Sequence, residues 1–242
     1  MGKPPLPPKR GITISYFFGA SFAGVLCWLA GGFRVRGREN VPKGAAVLCA
    51  NHISYLDPPV VGSATFPRRT YFMAKKELFD IPVLGRFIYN CYAFPVDREG
   101  NDRQAIRFAI ELLQKGEPLA VFPEGQRSPD GSLQPGNLGP AYMASKAGVP
   151  IVPIAIKETD KVMPLHARWL HRAHVQVDIG KPIDPREFGG ERLGREQLQA
   201  LTERLMSDIY ELQKTQYERV GEVAPPRVKE IPDAEQDSPS GG

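Results

Sequence analysis

The stretch "PIVPIAI" (150–156) contains no polar residue and shows no alternation. It reads as a strand buried on both faces, the kind found inside parallel sheets. Working outward, "LGPAYMASKAG" (138–148) has the spacing and closing glycine of a helix, and "PLAVFPEG" (118–125) is a second apolar strand. "NDRQAIRFAIELLQKGE" (101–117) has Asn101 or Asp102 as N-cap, apolar residues at helical spacing and Gly116 as a stop. Further back, "CYAFPVDR" (91–98) is a strand, "ELFDIPVLGRFIYN" (77–90) an apolar helix, and "RTYFMAKK" (69–76) a strand. "PPVVGSATF" (58–66) is helical, while "AAVLCA" (45–50) and "FRVRG" (33–37) are strands. Beyond the opening stretch come "HVQVDIG" (174–180), which alternates as a more exposed strand, and "REQLQALTERLMSDIYELQKTQ" (195–216). The latter is an amphipathic helix through Leu198, Leu201, Leu205, Ile209 and Leu212. Strand and helix alternate throughout. The expected fold is α/β: a single domain over residues 34–220, with a mostly parallel or mixed central sheet flanked by helices.

The chain has 242 residues, enough for one substantial core. Cys27, Cys49 and Cys91 lie in apolar surroundings without a CxxC pair, so they read as reduced packing residues rather than a disulfide framework. Residues 221–242 are Pro-rich and polar, and are expected to be a disordered acidic tail. That tail holds two basic and five acidic residues, a net of −3, so the whole-chain charge of +4 leaves the body at +7. A body of that charge suits phosphates or a lipid surface and does not by itself imply nucleic acid.

Residues 1–33 stand apart. A basic, Pro-rich leader, "KPPLPPKR" (3–10), precedes "GITISYFFGASFAGVLCWLAGGF" (11–33), which has no charged residue. On a helix Ile14, Phe18, Phe22, Val25 and Leu29 form a bulky stripe, and Ser15, Gly19 and Ala23 a small-residue stripe. The segment reads as a membrane-associating helix, or a bent helical pair, lying in the bilayer interface. A true span and a helix that only packs on the domain are the alternatives, with a cleaved signal peptide the weaker reading. The expected location is the cytoplasmic face of the cell membrane, peripheral or monotopic.

The chemistry concentrates after the strand at 45–50. In "NHISYLD" (51–57), His52 and Asp57 are five residues apart. That spacing puts them about 140° apart on a helix and on opposite faces of a strand, so only a loop brings them together. With Ser54 two residues from His52 and no G-x-S-x-G elbow, an acyl-serine mechanism has little support. The other histidines, His166, His171 and His174, sit among arginines in "HARWLHRAH" (166–174), which reads as a solvated basic segment rather than a metal site. A base–orienter pair remains: Asp57 fixes the tautomer of His52, and the nucleophile comes from the substrate. The stretch "AVFPEGQRSPDG" (120–131) adds Glu124, Gly125 and Arg127 at another strand end, and arginine suits bidentate phosphate recognition.

These segments resemble the glycerolipid acyltransferases, the family of the 1-acylglycerol-3-phosphate acyltransferases. "NHISYLD" resembles its N-H-x-x-x-x-D motif, and "FPEGQRS" (122–128) its F-P-E-G-T-R-S block with Gln126 in place of threonine. "AKKELFDIPVLG" (74–85), "AFPVDR" (93–98) and "VPIVPIAI" (149–156) resemble further blocks, in the family's order. The resemblance implies that His52 and Asp57 are catalytic, and that Arg98, Glu124, Gly125 and Arg127, with Lys75 nearby, form the acceptor and phosphate site. It implies acyl transfer from acyl-CoA or an acyl carrier protein to a lysophospholipid hydroxyl, with no metal and no cofactor. The donor is then a substrate, and the partners are lysophospholipid, acyl thioester, the membrane surface and, where it carries the acyl group, acyl carrier protein, but no nucleic acid. Another acceptor, such as glycerol 3-phosphate or a different lysolipid, and a thioesterase-like hydrolysis are the alternatives. A noncatalytic lipid-binding role is the remaining one.

Overall fold

A computed structural model describes residues 13–97, 102–162, 171–189 and 192–228. Its seven strands are β1 (Phe33–Arg36), β2 (Val47–Ala50), β3 (Tyr71–Lys75), β4 (Ala93–Val96), β5 (Leu119–Val121), β6 (Ile151–Lys157) and β7 (Val175–Ile179). They form one sheet in the order β1-β7-β6-β2-β5-β3-β4. All neighbours are parallel except β6 and β7, so the sheet is mixed, as the alternating sequence implied. Every residue of β6 is buried, the apolar run 151–156 as its lack of polar residues requires and Lys157 after it. Pro95 is tolerated because β4 is an edge strand, paired only with β3.

The helices are α1 (Ile14–Ala30), α2 (Asp57–Thr65), α3 (Leu84–Asn90), α4 (Arg103–Gln114), α5 (Gly139–Ala147), α6 (Thr159–Val162) and α7 (Arg195–Glu218). Asp102 caps α4, its side chain accepting from the Ala105 amide, and Ala105, Phe108, Ala109, Leu112 and Leu113 form the buried face. α7 buries Leu201, Leu205 and Ile209, the centre of its apolar stripe.

Two segments depart from expectation. The apolar stretch 77–90 is no continuous helix: a 3-10 turn covers Lys76–Phe79, and α3 starts only at Leu84. Pro82 supplies no amide and disfavours a helical Ile81, and Val83 then takes a positive φ of 68°. β7 is buried along its whole length, although its polar residues alternate. The α7 end and β1 cover that polar face. Arg219 and Arg36 pair with Asp178 (2.5 and 3.7 Å), and the Gln216 amide donates to the Ala155 carbonyl (2.9 Å) beside it. The alternation therefore marks partnered polar groups rather than solvent.

α1 is a single 17-residue helix, and among the described residues no helix is long and apolar enough to cross a membrane. Its buried face is Tyr16, Ala20, Ala23, Cys27 and Ala30, mostly small, which lets α1 lie close on α2. The Tyr16 hydroxyl donates to the Arg68 carbonyl (3.0 Å) and accepts from the Thr70 amide (3.1 Å). Gly31 ends the helix at φ 146°, where a Cβ would meet the Ala173 carbonyl at 2.7 Å. Ile14, Phe18, Phe22, Val25 and Leu29 all face outward, each more than half exposed. Phe87 of α3, itself 44% exposed, lies beside Gly19, so the apolar surface continues from α1 onto α3.

Residues 221–228, the start of the expected tail, lie on the domain. Glu222 pairs with the buried Lys157 (2.8 Å), and Leu133 exchanges backbone hydrogen bonds with Pro226 and Val228.

Candidate active site

β2, β3, β4, β5 and β6 run in one direction, so their carboxyl ends share one side of the sheet, where α/β folds place their ligands. β2 stops at Ala50, and the next residue, Asn51, bonds sideways to β6. Its side-chain amide donates to the Ile156 carbonyl (3.0 Å) and its oxygen accepts from the Ile156 amide (2.7 Å). A side chain thus makes the last rung of the ladder, and the main chain is free to turn out of the sheet at His52.

The segment after β5 holds His52 on three sides. Its amide donates to Glu124 Oε1 (2.7 Å), its carbonyl accepts from the Ser128 amide (2.7 Å), and its ring stacks on Phe122 with centroids 4.0 Å apart. The imidazole is 9% exposed, and Nδ1 lies 2.8 Å from Asp57 Oδ2. The same oxygen accepts from the Ile53 and Ser54 amides, both at 2.7 Å. Asp57 opens α2, and Pro58 and Pro59 follow it in the first turn, where no amide is needed. Its carboxylate is fully buried, and Oδ1 accepts from the Thr159 hydroxyl (2.5 Å). The described hydrogen-bond partners of Asp57 are all donors, so Nδ1 of His52 carries the proton and Nε2 keeps its lone pair. That is the geometry a base–orienter pair requires, on the loop the spacing implied.

Glu124 spans two loops, its other oxygen accepting from the Gln134 amide (3.0 Å). Burial pushes its carboxyl up to about 7, against the lowering effect of the two amides. Both oxygens are committed to backbone, so Glu124 stands beside the site as the support of the His52 main chain. Gly125 takes a left-handed φ of 73° in the turn that lets the chain come back past His52. The Arg127 guanidinium lies 3.7 Å above the exposed Tyr55 ring, at the mouth of the His52 loop, and forms no ion pair with any described residue. Lys75 ends β3 on the same side of the sheet, 3.7 Å from Glu77. Arg98 lies outside the described residues.

Sequence reading thus brought together His52, Asp57, Glu124, Gly125 and Arg127. It missed the work of Asn51 and Phe122, although both stand in the quoted motifs. It had no signal for Thr159, 102 positions from Asp57, which only the fold brings near.

Among the described residues, a buried His–Asp pair lies at the strand ends with an arginine near it that makes no ion pair, an arrangement able to supply a general base. Comparison with known proteins gives the class. A family model described as Acyltransferase matches residues 32–157. The chain is 32% identical to a 1-acyl-sn-glycerol-3-phosphate acyltransferase of Bacillus subtilis (strain 168), over 82% of this chain and 96% of that one. It is 35% identical to a chloroplastic 1-acyl-sn-glycerol-3-phosphate acyltransferase of Brassica napus, over 62% of this chain but 44% of that longer one. The crystal structure of the 1-acyl-sn-glycerophosphate (LPA) acyltransferase PlsC from Thermotoga maritima superimposes with a TM-score of 0.66 at 30% identity, covering 81% of this chain and 79% of that one. The chain belongs to the acyltransferase family, among the 1-acylglycerol-3-phosphate acyltransferases.

Proposed function

We propose that this acyltransferase moves a fatty acyl group from acyl-CoA or acyl carrier protein to the free hydroxyl of 1-acylglycerol 3-phosphate, giving phosphatidic acid. The carrying observation is His52 Nδ1 at 2.8 Å from a fully buried Asp57, near an arginine that pairs with no described residue. His52 Nε2 takes the proton of the acceptor hydroxyl as its oxygen attacks the thioester carbonyl carbon. The tetrahedral intermediate collapses, the carbon–sulfur bond breaks, and the leaving thiolate takes the proton from the imidazolium. Asp57 keeps the ring in its tautomer and stabilises the imidazolium between the two steps. No acyl-enzyme forms. Arg127 holds the acceptor phosphate, with Arg98 and Lys75 adding positive charge, while Glu124 and Gly125 shape the loop that carries it.

The acceptor is a lipid, and the outward stripe of α1 together with α3 supports docking on a bilayer. Ile14, Phe18, Phe22 and Leu29 are each more than 60% exposed and form one apolar face. The protein sits peripherally on the cytoplasmic face of the cell membrane in this reading. Assaying the purified enzyme with acyl-CoA and with acyl carrier protein against lysophosphatidic acid, glycerol 3-phosphate and other lysolipids tests it. Preference for lysophosphatidic acid is expected. Equal use of lysolipids lacking a phosphomonoester would contradict it.

A further inference from the structure

We propose that Thr159 is a positioning residue for the reaction, acting through Asp57 to fix the plane of its carboxylate and hence the aim of His52. The inference rests on the reading of His52 and Asp57 as the base pair.

Three donors converge on Asp57 Oδ2, from His52 Nδ1 and the Ile53 and Ser54 amides, all within the same short loop. Held there alone, the carboxylate would depend on that one short loop for its orientation, and so would the imidazole bonded to it. Among the described residues, the Thr159 hydroxyl is the donor that reaches Oδ1, at 2.5 Å. It comes from the start of α6, just past the end of β6, and Thr159 itself is wholly buried. With one oxygen held by the loop and the other by the start of α6, the carboxylate has two anchors on separate elements. The matched family region ends at Lys157, two residues short of this threonine.

The chain is bent to make the contact. Glu158 takes a φ of 66°, unusual for a residue other than glycine, and its carboxylate is tied to the His174 amide (2.8 Å). That turn ends β6 and points Thr159 at Asp57.

The test is steady-state kinetics of Thr159→Val and Thr159→Ser in the full chain, each also combined with Asp57→Asn. A hydroxyl donating to a charged group corresponds to about 10–100-fold in rate when lost. Thr159→Val should lower kcat by that factor with acceptor KM changed by less than about twofold, and Thr159→Ser should restore most of it. In the Asp57→Asn background the valine should add less than about threefold, because the anchored group is already lost. Full kcat in Thr159→Val, no rescue by serine, or the same penalty in both backgrounds would overturn the proposal. Thr159→Ala carries the same comparison if the valine variant does not fold. Loss of the underlying reading looks different: His52→Ala would then keep its activity. An inactive His52→Ala beside a fully active Thr159→Val removes only the role of Thr159.

Discussion

Replacing Glu124 with glutamine separates the electrostatics of the site from its chemistry. The carboxyl lies against two backbone amides, His52 at 2.7 Å and Gln134 at 3.0 Å, and burial pushes it up from 4.5 to about 7. The native state therefore holds this proton more tightly than the unfolded chain between pH 4.5 and 7. Stability linked to Glu124 is greatest below 4.5 and falls as pH rises to 7, the reverse of a salt-bridged carboxylate. At about 1.4 kcal/mol per pH unit, that displacement corresponds to about 3 kcal/mol, or about 2–3 allowing for its partial exposure. Glutamine does not titrate, so its stability relative to wild type should improve by about 2–3 kcal/mol between pH 4.5 and 7.5. Catalysis should move the other way. The glutamine NH2 confronts one of the two amide donors, the loop holding His52 loses one of its two ties, and kcat at pH 7.5 should fall about 5–30-fold. Urea unfolding of both proteins at the two pH values gives the first quantity, and acyl transfer the second. A stability difference that does not change with pH would refute the reasoning.

Arg127→Gln should raise the apparent KM for lysophosphatidic acid by about 10–100-fold and leave that for the acyl donor nearly unchanged; equal rises in both would remove Arg127 from the acceptor site. Phe18→Gln with Phe22→Gln should cut binding to anionic vesicles by about 10–100-fold without changing thermal stability, and unchanged co-sedimentation would count against docking through α1. These exposed positions test docking better than deletion of residues 1–33, which would strip Tyr16 and Cys27 from the core. Ser54→Ala should keep kcat within about threefold and lose about 1 kcal/mol of stability, because the Ser54 hydroxyl accepts from the Leu56 amide (3.2 Å) in the turn before α2; abolished transfer would return Ser54 to the chemistry.

What the sequence made legible was local. The unbroken run at 150–156 announced a strand buried on both faces, and the five-residue spacing of His52 and Asp57 demanded a loop. The Asp102 cap and Gly116 stop bounded α4 because capping is decided by a few neighbouring atoms. What it hid depended on distant partners. β7 read as exposed because nothing nearby in sequence says that Arg219, Arg36 and Gln216 cover its polar face. The work of Asn51 depends on where β6 ends up, and Thr159 meets Asp57 only once β6 lies beside β2 in the sheet. Glu124 showed its position but not its task, since a carboxylate in a strand-end turn suits a ligand as well as a backbone amide. The 77–90 segment failed for a local reason: its apolar spacing outweighed Pro82 in the reading, but not in the fold.

The central claim is that the hydroxyl activated by His52 attacks the thioester directly. Rapid quench of radiolabelled acyl donor with excess enzyme, with and without lysophosphatidic acid, tests it most directly. Label should pass from thioester to phosphatidic acid with none bound to protein, and neither label transfer nor bound label should appear in His52→Ala. Stoichiometric protein-bound label that forms without acceptor, and decays as lipid appears when acceptor is added, would contradict it.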